Sequence, residues 1–167
     1  KKEGPNIRRD WSLMAAGITG VWATSNTREA IWDAMKRKET YASSGPRITI
    51  RFFGGYDLPA DVNAGNIAAT GYAKGVPMGG DLKAAPAGKA PTFLVAAQKD
   101  PEGANLDRVQ IIKGWVDAKG KTHEKIFNIK WGGARQPDAS GKLPPVGNTV
   151  DLKTATYTNS IGATELV

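Results

Sequence analysis

The sequence predicts a mainly β protein, in which an antiparallel β-sandwich-like domain follows a short α/β segment with one helix. Two observations carry this prediction. The 167 residues include 20 glycines and 10 prolines, a content that favours many turns between short strands. Apolar side chains recur with a period of two in several segments after Arg47, whereas helical spacing is clear only at 27–38.

The predicted helix covers 27–38. Asn26 precedes it and Glu29 stands three residues further on, which is the spacing of a capping box. Side chains at helical spacing share one face: Ile31, Ala34, Met35 and Lys38. A short strand or buried loop is predicted before the helix, at 18–23, and a Ser-Ser-Gly-Pro turn follows it at 43–46. The apolar face of the helix needs a covering layer that this chain barely supplies.

Five or six short strands are predicted after the helix, a number that suggests a β-sandwich. The predicted strands are 47–52, 92–98, 108–117, 122–131, 149–153 and 155–158. In the first of them the side chains expected to face solvent are Arg47, Thr49 and Arg51. Residues 118–121 form a hairpin turn, and a long Gly- and Ala-rich loop is predicted over 54–90. Because the period changes at Arg47 beside a turn, we divide the chain into 1–46 and 47–167.

Composition excludes several chemistries. The chain has no cysteine, so it contains no disulfide, thiolate metal site or cysteine nucleophile. Its one histidine, His123, falls on a predicted hairpin strand, where the neighbouring Glu124 points to the opposite face. We therefore interpret His123 as a surface or rim residue. The formal net charge of +7 fits a solvated basic surface, which we favour, or an anionic partner.

The polar segment 40–47, at the crossing from helix to strand, is the best candidate for a functional site. It places a phenol, two hydroxyls and a guanidinium beside a flexible glycine: Tyr41, Ser43, Ser44 and Arg47. Such a loop can line a cleft between two domains, where ligand sites are frequent. Arg47 can pair with an anionic substrate group through its planar fork. A purely structural hinge accounts for the segment equally well.

Long motifs distributed over essentially the whole chain resemble one bacterial family. They lie at 17–23, 26–42, 44–47, 51–55, 74–82, 99–101 and 103–115, and include KGVPMGGDL at 74–82. The family they resemble is called domain of unknown function 3604, and it is similar to the PHP-type metal-dependent hydrolases. The resemblance implies that 1–46 is the C-terminal remnant of an α/β metallohydrolase-like domain. It also implies that 47–167 is a β-sandwich-like domain without its final strand.

The resemblance implies a function for a longer parent protein rather than for this segment alone. That parent is expected to be an exported enzyme, periplasmic or extracellular, that hydrolyses a phosphoester or related bond with a divalent metal. The family's metal motifs lie upstream, so no metal ligand and no cofactor-binding residue is carried over to this chain. The expected partners are the rest of the parent chain or a second subunit, together with a small anionic substrate.

Two other functions stay open. A non-catalytic sandwich could bind carbohydrate, peptide or a partner subunit through its sheet face, and a contiguous patch of exposed aromatic side chains would favour it. Aromatic and basic residues interleave at 51–53 and 125–131, as in oligonucleotide-binding sheets. A half-buried strand with solvated lysines has the same pattern, so we do not expect nucleic acid as a partner. No apolar run reaches the roughly 20 residues that a transmembrane helix needs.

Overall fold

The computed structural model describes residues 16–167, and this part of the chain is mainly β with antiparallel strand pairing. Its elements are β1 (Ile18–Val21), α1 (Arg28–Lys36), β2 (Thr40–Ser43), β3 (Thr49–Gly55), α2 (Ile67–Lys74), β4 (Val76–Pro77), β5 (Thr92–Gln98), β6 (Arg108–Val116), β7 (Thr122–Trp131) and β8 (Glu165–Leu166). The strands form three sheets: β1 with β2, a four-stranded sheet in the order β4-β3-β5-β8, and β6 with β7. The predicted fold class is confirmed. The first fifteen residues of the predicted 1–46 segment lie outside the described residues.

Helix α1 begins one residue later than predicted. Thr27, rather than Asn26, is the N-cap, and its hydroxyl accepts a hydrogen bond from the amide of Ala30 at 3.3 Å. Beyond the last turn, Lys38 adopts a left-handed conformation (φ 60°) that directs the chain into β2. Because β1 and β2 pair with each other beside this helix, the three elements form a small α/β layer. The strand predicted before the helix is β1.

The four-stranded sheet is covered on both faces. One face lies under α2, and its buried residues are Phe53, Ile67 and Ala96. The other face lies under the start of β6 and the C-terminal segment, and its buried residues are Ala97, Leu106, Val109 and Leu166. The prediction that Arg51 faces solvent is wrong, because it shares a face with Phe53 and contacts Tyr72 of α2. A strand covered on both sides has no solvent face, so alternation alone misplaces its polar residues.

The long loop predicted over 54–90 contains a second helix, α2, and the short strand β4. The helix sequence is rich in small residues and carries little amphipathic pattern, which is why its period is not evident. Its close approach to the sheet requires Gly71, since a Cβ at that position would lie 2.4 Å from the ring of Phe53. Before the helix, the side-chain oxygen of Asn63 accepts hydrogen bonds from the amides of Gly65 and Asn66.

Strand prediction succeeds for β5 and for the hairpin β6–β7 and fails in the loops that follow. The strands predicted at 149–153 and 155–158 are wrong, since the structure has there one isolated bridge between Asp151 and Thr156. The C-terminal residues, for which no closing strand was predicted, include β8, which pairs with β5. Within 16–167, no helix is long and apolar enough to cross a membrane.

Candidate functional site

A cleft of about 410 Å³ opens where the α/β layer meets the four-stranded sheet. Its aromatic and charged lining residues are Trp22, Arg37, Glu39, Arg51 and Tyr72. They come from the ends of β1 and α1 on one side, and from β3 and α2 on the other. The cleft therefore lies across the predicted boundary at residue 46, although the boundary itself stays a prediction.

Glu39 is the buried centre of this cleft. It is 3% exposed, and a carboxylate is costly to bury unless its oxygens are paired. Tyr72 donates its hydroxyl to one oxygen, and Arg37 Nη2 approaches the other at 3.4 Å. The backbone of Glu39 is also held, because its carbonyl accepts the amide of Trp22 and its amide donates to Ala34, both at 3.0 Å. The carboxylate is thus fixed by local structure as well as by its charge partners.

Arg51 forms another wall of the cleft. Its guanidinium carbon lies 3.5 Å from the ring centroid of Trp22, a cation–π contact. That indole is itself fixed, because its N–H donates to the carbonyl of Ile50 at 2.9 Å. Arg51 Nη1 donates to the hydroxyl of Tyr72 at 3.2 Å. Most of the five N–H donors of the guanidinium make no hydrogen bond to the described residues.

The environment of Tyr72 favours the protonated form of its phenol. Burial raises the pKa of Tyr72 most, and the hydrogen bond to Glu39 and its negative charge raise it further, while Arg51 lowers it. The side chain as a whole is half exposed, but its oxygen end lies between Glu39 and Arg51. Tyr72 therefore acts as a donor that connects the two charged groups.

This arrangement suits the recognition of an anionic group. Two guanidinium groups border the cleft, and the one carboxylate between them already has the Tyr72 hydroxyl and Arg37 as partners. A guanidinium with free donors binds phosphate or carboxylate oxygens in a two-point geometry that a lysine cannot reproduce. Arg51 is the better placed of the two arginines, because Trp22 and Tyr72 hold it in position.

None of the four residues singled out from the sequence lines this cleft. Tyr41 and Ser43 belong to β2 instead of a loop, and Tyr41 packs on Trp22 with ring centroids 5.8 Å apart. The Ser43 hydroxyl is buried without a hydrogen-bond partner in the described part of the chain. Ser44 and Arg47 are exposed, and the Arg47 amide donates to the carboxylate of Asp100 at 2.7 Å. Their contact with a substrate stays a prediction.

The described residues do not fit a metal centre. Among residues 16–167, no three His, Asp or Glu side chains are grouped so that they could hold an ion. His123 lies on β7 as predicted, where it stacks on Trp115 at 5.2 Å and bonds Asp117 at 2.7 Å. The hydrogen bond from His123 lowers the pKa of Asp117 below its ordinary value. His123 therefore belongs to the end of the hairpin, away from the cleft lining.

Residues 1–167 match the family model described as "Protein of unknown function (DUF3604)". The chain belongs to the DUF3604 family. Neither a curated protein nor a solved structure matches it. The membership expected from the sequence motifs is therefore confirmed, whereas the likeness of this DUF3604 chain to metal-dependent hydrolases stays a hypothesis.

Sequence reasoning missed the residues that build the cleft of this DUF3604 chain. Glu39 follows a basic run at the end of a helix, where an acidic side chain has no distinctive spacing. Arg51 did carry a signal, since it precedes the adjacent pair Phe52 and Phe53. Two consecutive bulky apolar residues indicate a strand buried on both faces. Tyr72 carried no signal in the sequence, because the helix to which it belongs was not predicted.

Proposed function

We propose that this DUF3604 chain is the C-terminal segment of an exported metal-dependent hydrolase with a phosphoester-like substrate. In this proposal the cleft between the α/β layer and the sheet binds the anionic group of the substrate. In this proposal, which follows the family resemblance here, the divalent metal and its ligands belong to residues upstream of this segment. Export to the periplasm or beyond is part of the proposal and rests on the family resemblance.

The observation that carries the proposal is that Arg51 is held in position while most of its hydrogen-bond donors are unused. Its guanidinium is positioned by Trp22 at 3.5 Å and by Tyr72 at 3.2 Å, yet most of its donors are unused by the described residues. Positioning in advance lowers the entropy that a side chain loses when a ligand binds. A fixed guanidinium with free donors beside a cleft is therefore a good receptor for a phosphoryl or carboxylate group.

The outer face of α1 supports the assignment of this layer to a larger α/β domain. Ala34 is fully buried against the chain, whereas Trp32 on the outer side is 65% exposed and Met35 is also exposed. Large apolar side chains grouped on one helix face commonly mark a surface that another layer covers. A catalytic domain that continues upstream would supply that layer.

The proposal is tested on the full parent protein, supplied with Mg²⁺, Mn²⁺ or Zn²⁺ and assayed against aryl phosphoesters and a neutral aryl acetate. We expect metal-dependent hydrolysis of a phosphoester. Arg51→Ala is expected to lower kcat/KM for that phosphoester by about tenfold or more, because a charge-assisted hydrogen bond to the substrate is lost. Hydrolysis of the neutral ester should change much less.

Arg28→Ala is the matched control, because it removes an exposed arginine from the first turn of α1. Its phosphoester kinetics should resemble those of the unmodified protein. Arg47→Ala tests in parallel the candidate taken from the sequence. Absence of metal-dependent turnover with every ester would refute the hydrolase. Turnover that is insensitive to Arg51→Ala would instead show that the substrate binds elsewhere.

A further inference from the structure

The hairpin β6–β7 carries an unusual amount of exposed apolar surface. Val109, at its base, reaches the core, but most of its large apolar side chains further along are exposed. They are Ile112, Trp115, Val116, Ile126, Phe127 and Ile129. They are divided between the two faces, with Trp115 and Phe127 on one and Ile112, Val116 and Ile126 on the other. Large apolar side chains exposed on both faces of a hairpin favour an interaction surface.

One face of the hairpin, termed here the lysine face, consists of three cross-strand pairs. In order from the base, these are Ile111 with Phe127, Lys113 with Lys125, and Trp115 with His123. Successive pairs on one face lie about 7 Å apart, since side chains alternate between faces. The lysine face is therefore a narrow strip with a cationic pair between two largely apolar pairs.

The cationic pair is held above aromatic rings. Lys113 Nζ lies 5.1 Å from the ring centroid of Trp115, and Lys125 Nζ lies 5.0 Å from that of Phe127. Two like charges directly opposite each other in a sheet repel and are destabilising. Cation–π contact keeps both ammonium groups on this face, but it does not neutralise them.

No carboxylate among the described residues neutralises the two lysines. Asp117, further along the hairpin, is hydrogen-bonded to His123 at 2.7 Å. Glu124 projects from the opposite face, because it neighbours Lys125 along the strand. The lysine face therefore presents two positive charges in a chain whose formal net charge is already +7. An anionic ligand with charges along its length could contact both Lys113 and Lys125 and would offset their repulsion.

We propose that the lysine face binds a linear acidic polysaccharide, with successive carboxylates of the polymer contacting Lys113, whose Nζ lies towards the tip of the hairpin, and Lys125, whose Nζ lies towards its base. The apolar surface of the sugar rings would pack along the strip, beginning at Ile111 and Phe127. A linear polymer fits because the strip is only two strands wide and a two-stranded sheet twists strongly. This site lies on the hairpin and does not depend on the hydrolase proposed for the cleft.

Two other anionic partners fit the lysine face less well. An anionic bilayer is normally recognised by a cluster of about four to eight basic residues, whereas this face has two lysines. Single-stranded nucleic acid binds through a positively charged groove that tracks its backbone together with aromatic rings on which successive bases stack. Here the face has two lysines rather than a basic groove, and His123 stacks on one of its two aromatic residues, Trp115.

The test measures binding of the 167-residue chain to polygalacturonate by titration calorimetry. Dextran serves as the neutral polymer, and oligo-dT and phosphatidylglycerol vesicles serve as the other anionic partners. We expect binding to polygalacturonate that weakens as salt is added, and little binding to dextran. Lys113→Gln with Lys125→Gln should weaken the binding by about tenfold or more, because two charge-assisted hydrogen bonds are lost.

Lys142→Gln with Lys153→Gln is the matched control, because it removes the same charge from exposed loop positions. It should change the affinity by less than about threefold if binding is local to the hairpin. Lys113→Arg with Lys125→Arg keeps both charges and should retain binding. Retained binding would show that the glutamine pair loses affinity because its charges are gone and not because the hairpin is damaged. Equal losses in the two glutamine pairs, no binding to polygalacturonate, or tighter binding to oligo-dT or vesicles would each overturn the proposal.

Discussion

Arg135 and Arg51 are both fixed beside polar partners, but they use their hydrogen-bond donors differently. The Arg135 side chain is 15% exposed and donates to the carboxylate of Asp107 at 2.5 Å. Its other donors bind the backbone carbonyls of Gly132, Pro144 and Asp107 at 2.7–3.1 Å. Arg51 donates one hydrogen bond, to Tyr72, and otherwise rests on an aromatic ring.

The difference separates a structural arginine from a candidate ligand-binding one. Burial raises the pKa of Asp107, but hydrogen bonds from Arg135 and Arg108 outweigh it and leave that pKa below its ordinary value. The Asp107 carboxylate is thus stabilised by an arginine that also holds two loops. The N–H groups of the Arg135 guanidinium already donate to the protein, so few are free to bind a ligand. Most N–H groups of Arg51, by contrast, make no hydrogen bond to the described residues.

The largest effect is expected from Arg135→Ala. This substitution removes all the side-chain hydrogen bonds of Arg135: the Asp107 carboxylate keeps only Arg108, and the buried Gly132 carbonyl loses both of the hydrogen bonds it accepts from Arg135. The free energy of unfolding should therefore fall by about 2–3 kcal/mol. Urea denaturation of the 167-residue chain measures the change as a shift of the midpoint at constant slope.

Arg135→Lys is the control for that experiment, because it keeps the charge but not the planar fork that reaches several carbonyls at once. It should recover only part of the lost stability. Full recovery by lysine would mean that charge alone matters at this position. The contrast with Arg51 would then no longer rest on the number of hydrogen bonds.

A smaller effect on stability is expected from Arg51→Ala. The substitution removes one hydrogen bond to Tyr72 and a cation–π contact with Trp22, so the free energy of unfolding should fall by about 1 kcal/mol or less. Urea denaturation in parallel with Arg135→Ala compares the two directly. A loss as large as that of Arg135→Ala would identify Arg51 as a structural residue and weaken the proposed anion site.

Much of the β framework was predictable because its signals are local. Apolar residues alternate at Val109 and Ile111 and again at Phe127, Ile129 and Trp131 on the two sides of an Ala-Lys-Gly-Lys turn, and β5 is a short apolar run rich in β-favouring residues. Helix α1 has caps and a clear apolar face. Helix α2 was not predictable in the same way, because its buried face consists of small residues whose role depends on the ring of Phe53 lying above Gly71.

The cleft was less predictable than the fold because it depends on contacts between distant segments. Glu39 meets Tyr72 across 33 positions of sequence, and Arg51 meets Trp22 across the predicted domain boundary. No spacing rule connects such residues before the packing of α2 is known. The sequence indicated the crossing at 40–47 as the place for a site, but none of the four residues named there lines the cleft, and their role stays a prediction.

The smallest effect is expected in alkaline solution and concerns Tyr72. Its pKa is raised in the folded protein by burial first and then by Glu39, so folding favours the protonated phenol. The resulting stabilisation is fully present below the unfolded-state pKa of about 10, and it is lost as pH rises through the higher folded-state pKa. The stability difference between the unmodified protein and Tyr72→Phe should therefore shrink above about pH 10.

Tyr157→Phe is the control, since it removes the hydroxyl of an exposed tyrosine that lies outside the cleft lining. Urea denaturation at several pH values measures both variants, and ultraviolet titration of the phenolates follows the ionisation itself. If the stability difference for Tyr72→Phe shrank no more than that for Tyr157→Phe, the phenol of Tyr72 would not be buried beside Glu39 in solution. Of the two contacts that position Arg51 beside the cleft, the cation–π contact with Trp22 would then be the more important.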